Sequence, residues 1–217
     1  TIDDPYGTFV VNADGSWTFD LADNDAVDAL TLGQEEVREF TVTLSDGSTT
    51  TVTITITGTD DAPVISSDAD RINEGSTDLL DGTLIATDAD NPDLAFNANT
   101  INDAYGTFVV NADGSWTFDL ADNATVDALT LGQEEVREFT VTLSDGSTTT
   151  VTITITGTDD APDVSSDADR ITEGDSAILD GTLTASDADN PDLAFNANTI
   201  DDPYGTFVVN ADGSWTF

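Results

Sequence analysis

The side chains with the greatest capacity for chemistry in this sequence are carboxylates, and they come in spaced sets. Asp60 and Asp61 stand in a TDDAP stretch that recurs with Asp159 and Asp160. Asp88 and Asp90 open a DADNPD segment that recurs with Asp187 and Asp189, and Glu74 and Glu173 each precede a glycine. Carboxylates crowded together repel, and their pKa values rise unless a cation lies between them. The ion that matches such a donor set is Ca²⁺, which takes about six to eight hard oxygen ligands. DADNPD shares the Asp-x-Asp spacing that opens an EF-hand loop but lacks that loop's later Gly and Glu, so its meaning depends on what the fold brings to it. The plainer reading of aspartate, as a turn former on a hydrated acidic surface, is assigned to scattered residues such as Asp28, Asp46 and Asp119.

The whole composition agrees with a cation-seeking chain. Of 217 residues 44 are acidic, 36 Asp and 8 Glu, against four Arg and no Lys, for a formal charge of −40. Such a surface repels phosphate backbones and anionic membranes, which excludes nucleic acid as a partner. The absence of His and Cys excludes zinc sites, disulfides and catalytic triads built on them. No apolar run approaches the ~20 residues of a membrane span, so no membrane insertion is expected. There is no Met, and the chain is read as an internal piece of something larger. High net charge is also a signature of disorder, but 38% apolar residues, sixteen aromatics and regular alternation argue for a folded chain.

The elements that must position the acids follow from a repeat. Tyr6, Tyr105 and Tyr204 open the same phrase, YGTFVVNADGSWTF, at a spacing of 99 residues; residues 1–99 and 100–198 differ at 13 positions, and 199–217 repeat 1–19 unchanged. A unit of this length is domain-sized rather than solenoid-sized. The strand-like TTTVTITITG ends at Gly157 and is followed by a polar stretch closing on Pro162, which sets the boundary. The expected organisation is 1–58 as the C-terminal part of one repeat, 59–158 as a complete repeat and 159–217 as the N-terminal part of the next. Seven strands are predicted near 63–67, 79–87, 93–98, 105–111, 115–121, 135–144 and 148–157, with a single helical turn within Asn123–Leu131. Asp-Gly turns at 113–114 and 145–146 mark hairpins. The fold class is all-β: tandem Greek-key β-sandwiches of immunoglobulin type.

Laying those strands alternately up and down gathers Asp60, Asp61, Asp88 and Asp90 at the N-terminal end of the complete unit. Glu74 then faces the following linker (Asp159, Asp160) and the following loop (Asp187, Asp189) at the other end. Two clusters at two unit junctions are the expected metal sites.

The phrases YGTFVVNADGSWTF, VDALTLGQEEVREFTVTLSDGST and TTVTITITGTDDAP resemble the VCBS repeat of very large bacterial surface adhesins, many of them RTX-type proteins exported by type I secretion. The resemblance covers the whole chain. It implies cadherin-like or immunoglobulin-like modules strung end to end outside the cell, stiffened by Ca²⁺ between them. It further implies an extender that holds a distal adhesive domain away from the surface in adhesion and biofilm formation. In cadherins a Glu near the first strand, a D-x-N-D linker and an Asp-x-Asp of the next module build the junction. Glu74, Asp159–Asp160 and Asp187–Asp189 match those roles here, although the linker reads TDDAP. The glycine-rich nonapeptide of RTX β-rolls is absent.

Two other functions draw on parts of the sequence. Thr rows at 51, 53, 55 and 57 and at 150, 152, 154 and 156 form a hydroxyl array that could touch glycan or ice, although β-propensity explains exposed Thr more simply. Paired carboxylates can hydrolyse glycosides, but that reaction needs a cleft and these acids lie in loops at a module end, so the chain is not read as an enzyme. Because residues 1–58 and 159–217 each hold part of a unit, end-to-end complementation with another copy, or a partly ordered terminal segment, is expected. The Arg residues are expected to pair with neighbouring acids.

Overall fold

The computed structural model describes all 217 residues. The first unit contributes β1 (Ile2–Asp4), β2 (Gly7–Val11), β3 (Trp17–Leu21), a one-turn helix α1 (Asp25–Asp28), β4 (Glu35–Thr43) and β5 (Thr49–Thr57). The second holds β6 (Val64–Ile65), β7 (Asp68–Asn73), β8 (Leu80–Thr83), β9 (Ala86–Thr87), β10 (Asn99–Asp103), β11 (Gly106–Val110), β12 (Ser115–Leu120), β13 (Glu134–Thr142) and β14 (Thr148–Thr156). The third adds β15 (Asp163–Val164), β16 (Asp180–Thr182), β17 (Ala185–Ser186), β18 (Asn198–Asp202), β19 (Gly205–Val209) and β20 (Ser214–Thr216).

The second unit is a sandwich of two main sheets, ordered β10-β11-β12-β8 and β13-β14-β7, with β6 and β9 forming a small separate pair. Period-two alternation explains the faces. Phe108 and Val110 on β11, Trp116 and Phe118 on β12, Phe139 and Val141 on β13 and Val151, Ile153 and Ile155 on β14 all point into one core of 14 buried residues. The sheets meet through aromatic rings. Phe108 stacks on Phe139 at 4.6 Å between centroids and Phe118 tilts against the same ring at 5.6 Å.

Four corrections to the sequence-based strands emerge. Residues 68–73 form a strand, β7, which runs parallel to β14 from Val151↔Asp68 to Thr156↔Asn73. Its Asp-Ala-Asp-Arg start reads as a loop only because the acids point outward or to specific partners. Residues 99–103 form β10, a polar edge strand paired with β11. The expected 79–87 strand breaks into β8 and β9, because Leu84 turns aside to donate its N–H to Gly114 O at 2.9 Å. The expected 93–98 strand is reduced to one bridge, Phe96↔Leu143. The 123–131 connection does make tight turns, with Val126 and Asp127 N–H groups both donating to Asn123 O.

The parallel β7 also changes the Thr row. It lies against β14, so Thr154 is buried and Thr149 donates its hydroxyl to Ser66 O at 2.7 Å. A flat free hydroxyl array is therefore not what β14 presents. Arg71 pairs with exposed Glu134 at 2.7 Å rather than with a nearby Asp. Arg137 bonds Asp103 as well as Glu135 and lies over the Tyr105 ring at 5.2 Å, tying the β10–β11 turn to the opposite sheet.

Hairpin glycines separate into tolerant and intolerant positions. Gly114 and Gly146 both have φ in the left-handed region, but a Cβ on Gly114 would stand 2.3 Å from Leu84 O, whereas on Gly146 it meets nothing. Gly146→Ala is expected to cost about 1 kcal/mol from backbone conformation alone. Gly114→Ala should cost clearly more, because the β8–β9 corner must move as well; comparison of urea midpoints for the two variants measures the difference.

Candidate functional site

The junction after the second unit is built by three local devices. Gly157, directly after β14, packs so tightly that a Cβ would lie 2.4 Å from Thr130 O, and its N–H donates to Gln133 O at 2.8 Å. This holds the 129–133 loop against the start of the linker. Asn123 caps the turns ahead of that loop, its Oδ1 accepting from Thr125 and Val126 N–H and its Nδ2 donating to Ala104 O. The Glu74 N–H donates to Thr156 O at 2.9 Å, fixing the end of β7 beside the end of β14.

Glu74 lies at the centre of this junction. Its residue is only 6% exposed. One carboxylate oxygen, Oε2, accepts the Thr158 N–H of the linker at 2.8 Å, while Oε1 is buried with no hydrogen-bond partner. Burial pushes its pKa up, the Thr158 hydrogen bond opposes this, and the charges of Asp160, Asp127 and Asp189 push it up further. Glu74, Asp122, Asp127 and Asp160 line one cleft. Asp160, Asp163 and Asp187 line an adjoining one. Asp187 faces Asp189 closely enough for a carboxyl–carboxyl hydrogen bond, which raises its pKa together with burial, and each of the two carries a buried unpartnered Oδ1.

The junction before the second unit repeats part of this pattern. Asp90 is 7% exposed with an unpartnered Oδ1, and its N–H donates to Asp88 Oδ1 at 3.2 Å. Burial, then the neighbouring Asp90 carboxyl, raises the pKa of Asp88. Asp28, read from sequence as ordinary turn chemistry, instead faces the junction: its pKa is raised by burial and by the charges of Asp61, Asp23 and Asp25. Asp25, Asp28 and Asp88 line one cleft there.

The sequence-predicted residues thus divide. Glu74, Asp160, Asp187 and Asp189 come together at one junction, and Asp61, Asp88 and Asp90 lie at the other, whereas Asp60 and Asp159 point to solvent. Glu173 is exposed and is not gathered with other acids. Asp122, Asp127 and Asp28 were missed. Their signal was positional: they occupy the connection after the fifth predicted strand, which an up-and-down strand order returns to the end where Glu74 lies.

No three acidic side chains, as placed, are close enough to hold a metal ion together. The donor set nevertheless fits a hard divalent cation: every candidate atom is a carboxylate oxygen, and four of them, on Glu74, Asp90, Asp187 and Asp189, are buried without a partner.

The fold and the placement of these acids define a tandem of cadherin-like β-sandwiches with acidic junctions. Residues 60–157 match the bacterial cadherin-like domain family. Among solved structures, the EC1-4 fragment of PcdhgB3 is 16% identical over 98% of this chain and 57% of that one, with a TM-score of 0.46. The protocadherin GammaB4 extracellular domain is 16% identical over 99% of this chain and 36% of that one, TM-score 0.45. The human desmocollin-1 ectodomain is 16% identical over 95% and 43%, TM-score 0.41. The chain spans roughly half the length of these structures or less. Among curated proteins none matches the sequence.

Proposed function

We propose that the chain is a run of extender modules from a large secreted bacterial adhesin, of the VCBS-repeat kind, with Ca²⁺ bound between modules. The observation that carries this is Glu74: a buried carboxylate with one oxygen held by the linker and the other unpartnered, amid the charges of Asp127, Asp160 and Asp189. Burying an uncompensated charge is costly, and a divalent cation removes that cost. Glu74, Asp127, Asp160, Asp187 and Asp189 would hold it at the second junction, and Asp28, Asp61, Asp88 and Asp90 at the first. The bound ion supplies only charge compensation and a crosslink. The chain's own residues carry the load, and the reading assigns them no reaction.

An extender outside the cell needs affinity only in the range of roughly 10⁻⁴–10⁻³ M. Such weak sites leave the chain uncompensated in calcium-poor cytosol and stiffen it after type I secretion to the cell surface, where it holds a distal domain outward in adhesion and biofilm formation. Partners in this reading are the neighbouring repeats.

The test is scanning calorimetry in chelator and in millimolar Ca²⁺. With ligand at about ten times Kd, one ion adds about 1.4 kcal/mol. In a module of this size that corresponds to a rise in Tm of roughly 5–10 °C per ion. Equal melting temperatures in both buffers, at constant ionic strength, would remove the calcium reading.

A further inference from the structure

In the complete unit, the strands that stand next to the two linkers lie side by side and run in the same direction. β7 follows the entry at Pro63 after only the two-residue β6, and β14 is the last strand before the exit at Gly157. They pair in parallel in one unbroken register, Val151↔Asp68 to Thr156↔Asn73. Both ends of this ladder are lengthened. Thr149 donates its hydroxyl to Ser66 O at 2.7 Å beyond one end; beyond the other the Glu74 N–H donates to Thr156 O at 2.9 Å, and Glu74 Oε2 accepts the Thr158 N–H. The chain therefore enters at one end of the strand pair and leaves at the opposite end.

Alternation within β7 divides its N–H groups between two sides. Since the Glu74 N–H faces β14, those of Ile72 and Asp70 face it too. The Ala69 and Arg71 N–H groups face away, and each is taken by the carboxylate just before it, Asp68 Oδ1 at 2.9 Å and Asp70 Oδ1 at 2.7 Å. β7 is thus bonded to β14 on one side and closed to a further strand on the other. Side chains fix the register. Ile72 is buried in the core opposite Ile155, and Asp68 Oδ2 accepts the indole N–H of Trp116 from the other sheet at 3.0 Å. A slip of one residue would turn Ile72 out of the core and break the Trp116 bond.

We propose that β7 and β14 form a shear clamp, which makes the module resist tension applied through its own linkers better than tension that parts the same two strands from one end. Force drawing Pro63 one way and Gly157 the other acts along the strands, so the ladder bonds share the load and must fail together. Force that parts the strands breaks them one pair at a time. The β6–β9 pair lies ahead of the clamp in the load path and, with only Val64↔Thr87 and Ile65↔Ala86, is too short to replace it. That the native load arrives through the linkers rests on the extender reading. The clamp itself is made of main chain and core, and holds without metal.

The chain has no cysteine, so introduced thiols define the direction of pulling. Ala62→Cys with Ala161→Cys, both exposed in the linkers, loads the clamp in shear; Ser67→Cys with Thr148→Cys, also exposed, parts β7 from β14 at one end. Only residues between the handles carry load. The 99 residues from Ala62 to Ala161 extend to at most about 330–360 Å and the 81 from Ser67 to Thr148 to about 270–290 Å, which identifies the module in each trace. Single-molecule pulling on the full chain should give an unfolding force at least about twofold higher for the linker handles, in chelator and in millimolar Ca²⁺ alike. Asp70→Pro, which removes an N–H directed at β14, should lower that force, and Arg71→Pro, whose N–H faces away, should lower it far less. Should Asp70→Pro prevent folding, the comparison of directions alone decides. Equal forces in the two directions, a higher force for the Ser67 and Thr148 handles, or a folded Asp70→Pro chain as strong as Arg71→Pro would each overturn the proposal. A twofold difference in force without any change of Tm in Ca²⁺ would keep the clamp and remove only the calcium reading.

Discussion

Glu74→Gln will raise the stability of the second module in chelator and lower it in millimolar Ca²⁺, so that the melting curves of variant and wild type exchange order between the two buffers. The amide keeps the acceptor for the Thr158 N–H and nearly the same volume, so packing is not what changes. What changes is charge. In the absence of a cation Glu74 places a negative group in a site that is only 6% exposed, beside Asp127, Asp160 and Asp189, and its pKa is raised above the ordinary 4.5. A group whose pKa is higher folded than unfolded binds more protons in the native state between those two values. Stability therefore falls as pH rises through that window and stays low above it. Wild-type protein in chelator should show this fall between pH 4.5 and Glu74's raised value, while Glu74→Gln should show a shallower one, since Asp88 and Asp187 contribute the same sign. At neutral pH the gain in chelator is expected at about 1–2 kcal/mol, the range for relieving a poorly solvated group. In Ca²⁺ the proposed reading reverses the sign, because a neutral amide would stand in place of a carboxylate ligand and hold the ion less strongly. Thermal melts at two pH values and two calcium levels give the full comparison. A variant less stable than wild type in both buffers would make Glu74 an ordinary structural hydrogen-bond acceptor.

What the sequence made readable, and what it concealed, follows from how each residue does its work. Gly157 and the TDDAP linker were legible because a glycine–proline boundary has one local cause, and Phe108, Phe118 and Phe139 because alternation alone places them inside. β7 was not legible: it forms by parallel pairing to β14, 83 residues away in sequence, and its Asp68 and Asp70 look like loop residues to any local rule. Asp68 is in fact an acceptor for the Trp116 indole, a contact that only the sandwich creates. Asp127 and Asp28 were concealed for the same reason. Nothing in VDAL marks its aspartate as different from Asp46, whose pKa is lowered by the Ser48 hydroxyl and N–H in a self-contained turn; the difference is the junction that Asp28 and Asp127 face. Local chemistry fixes the turns, whereas the candidate sites are set by which ends the topology brings together.

Trp116→Ala should destabilise the second module by about 3–5 kcal/mol, and the same substitution at Trp17 should cost clearly less, although the two residues lie in identical sequence. Both are in the phrase VNADGSW, and both sit opposite a valine in the adjacent strand, Val110 and Val11. The environments differ in what covers them. Trp116 is 1% exposed and Trp17 46%. Trp116 packs over Gly82, where even a Cβ would come within 2.6 Å of the indole, and its Nε1 donates to Asp68 Oδ2 at 3.0 Å. Trp17 has no such floor or partner within its chain. Alanine at 116 therefore leaves a large cavity in a module whose total stability is of the order of 5–15 kcal/mol, and strips Asp68 Oδ2 of its donor while Oδ1 keeps the Ala69 N–H. Trp116→Phe separates the two effects: it keeps most of the apolar volume but loses the N–H, so about 1–3 kcal/mol of the total should remain as the cost of leaving Asp68 Oδ2 without its donor. In the Trp116→Phe background, Asp68→Asn removes the carboxylate's charge and should recover most of that difference. Urea unfolding followed by fluorescence resolves the series, and equal costs at Trp116 and Trp17 would mean that the front strands β7 and β8 do not seal the core as described.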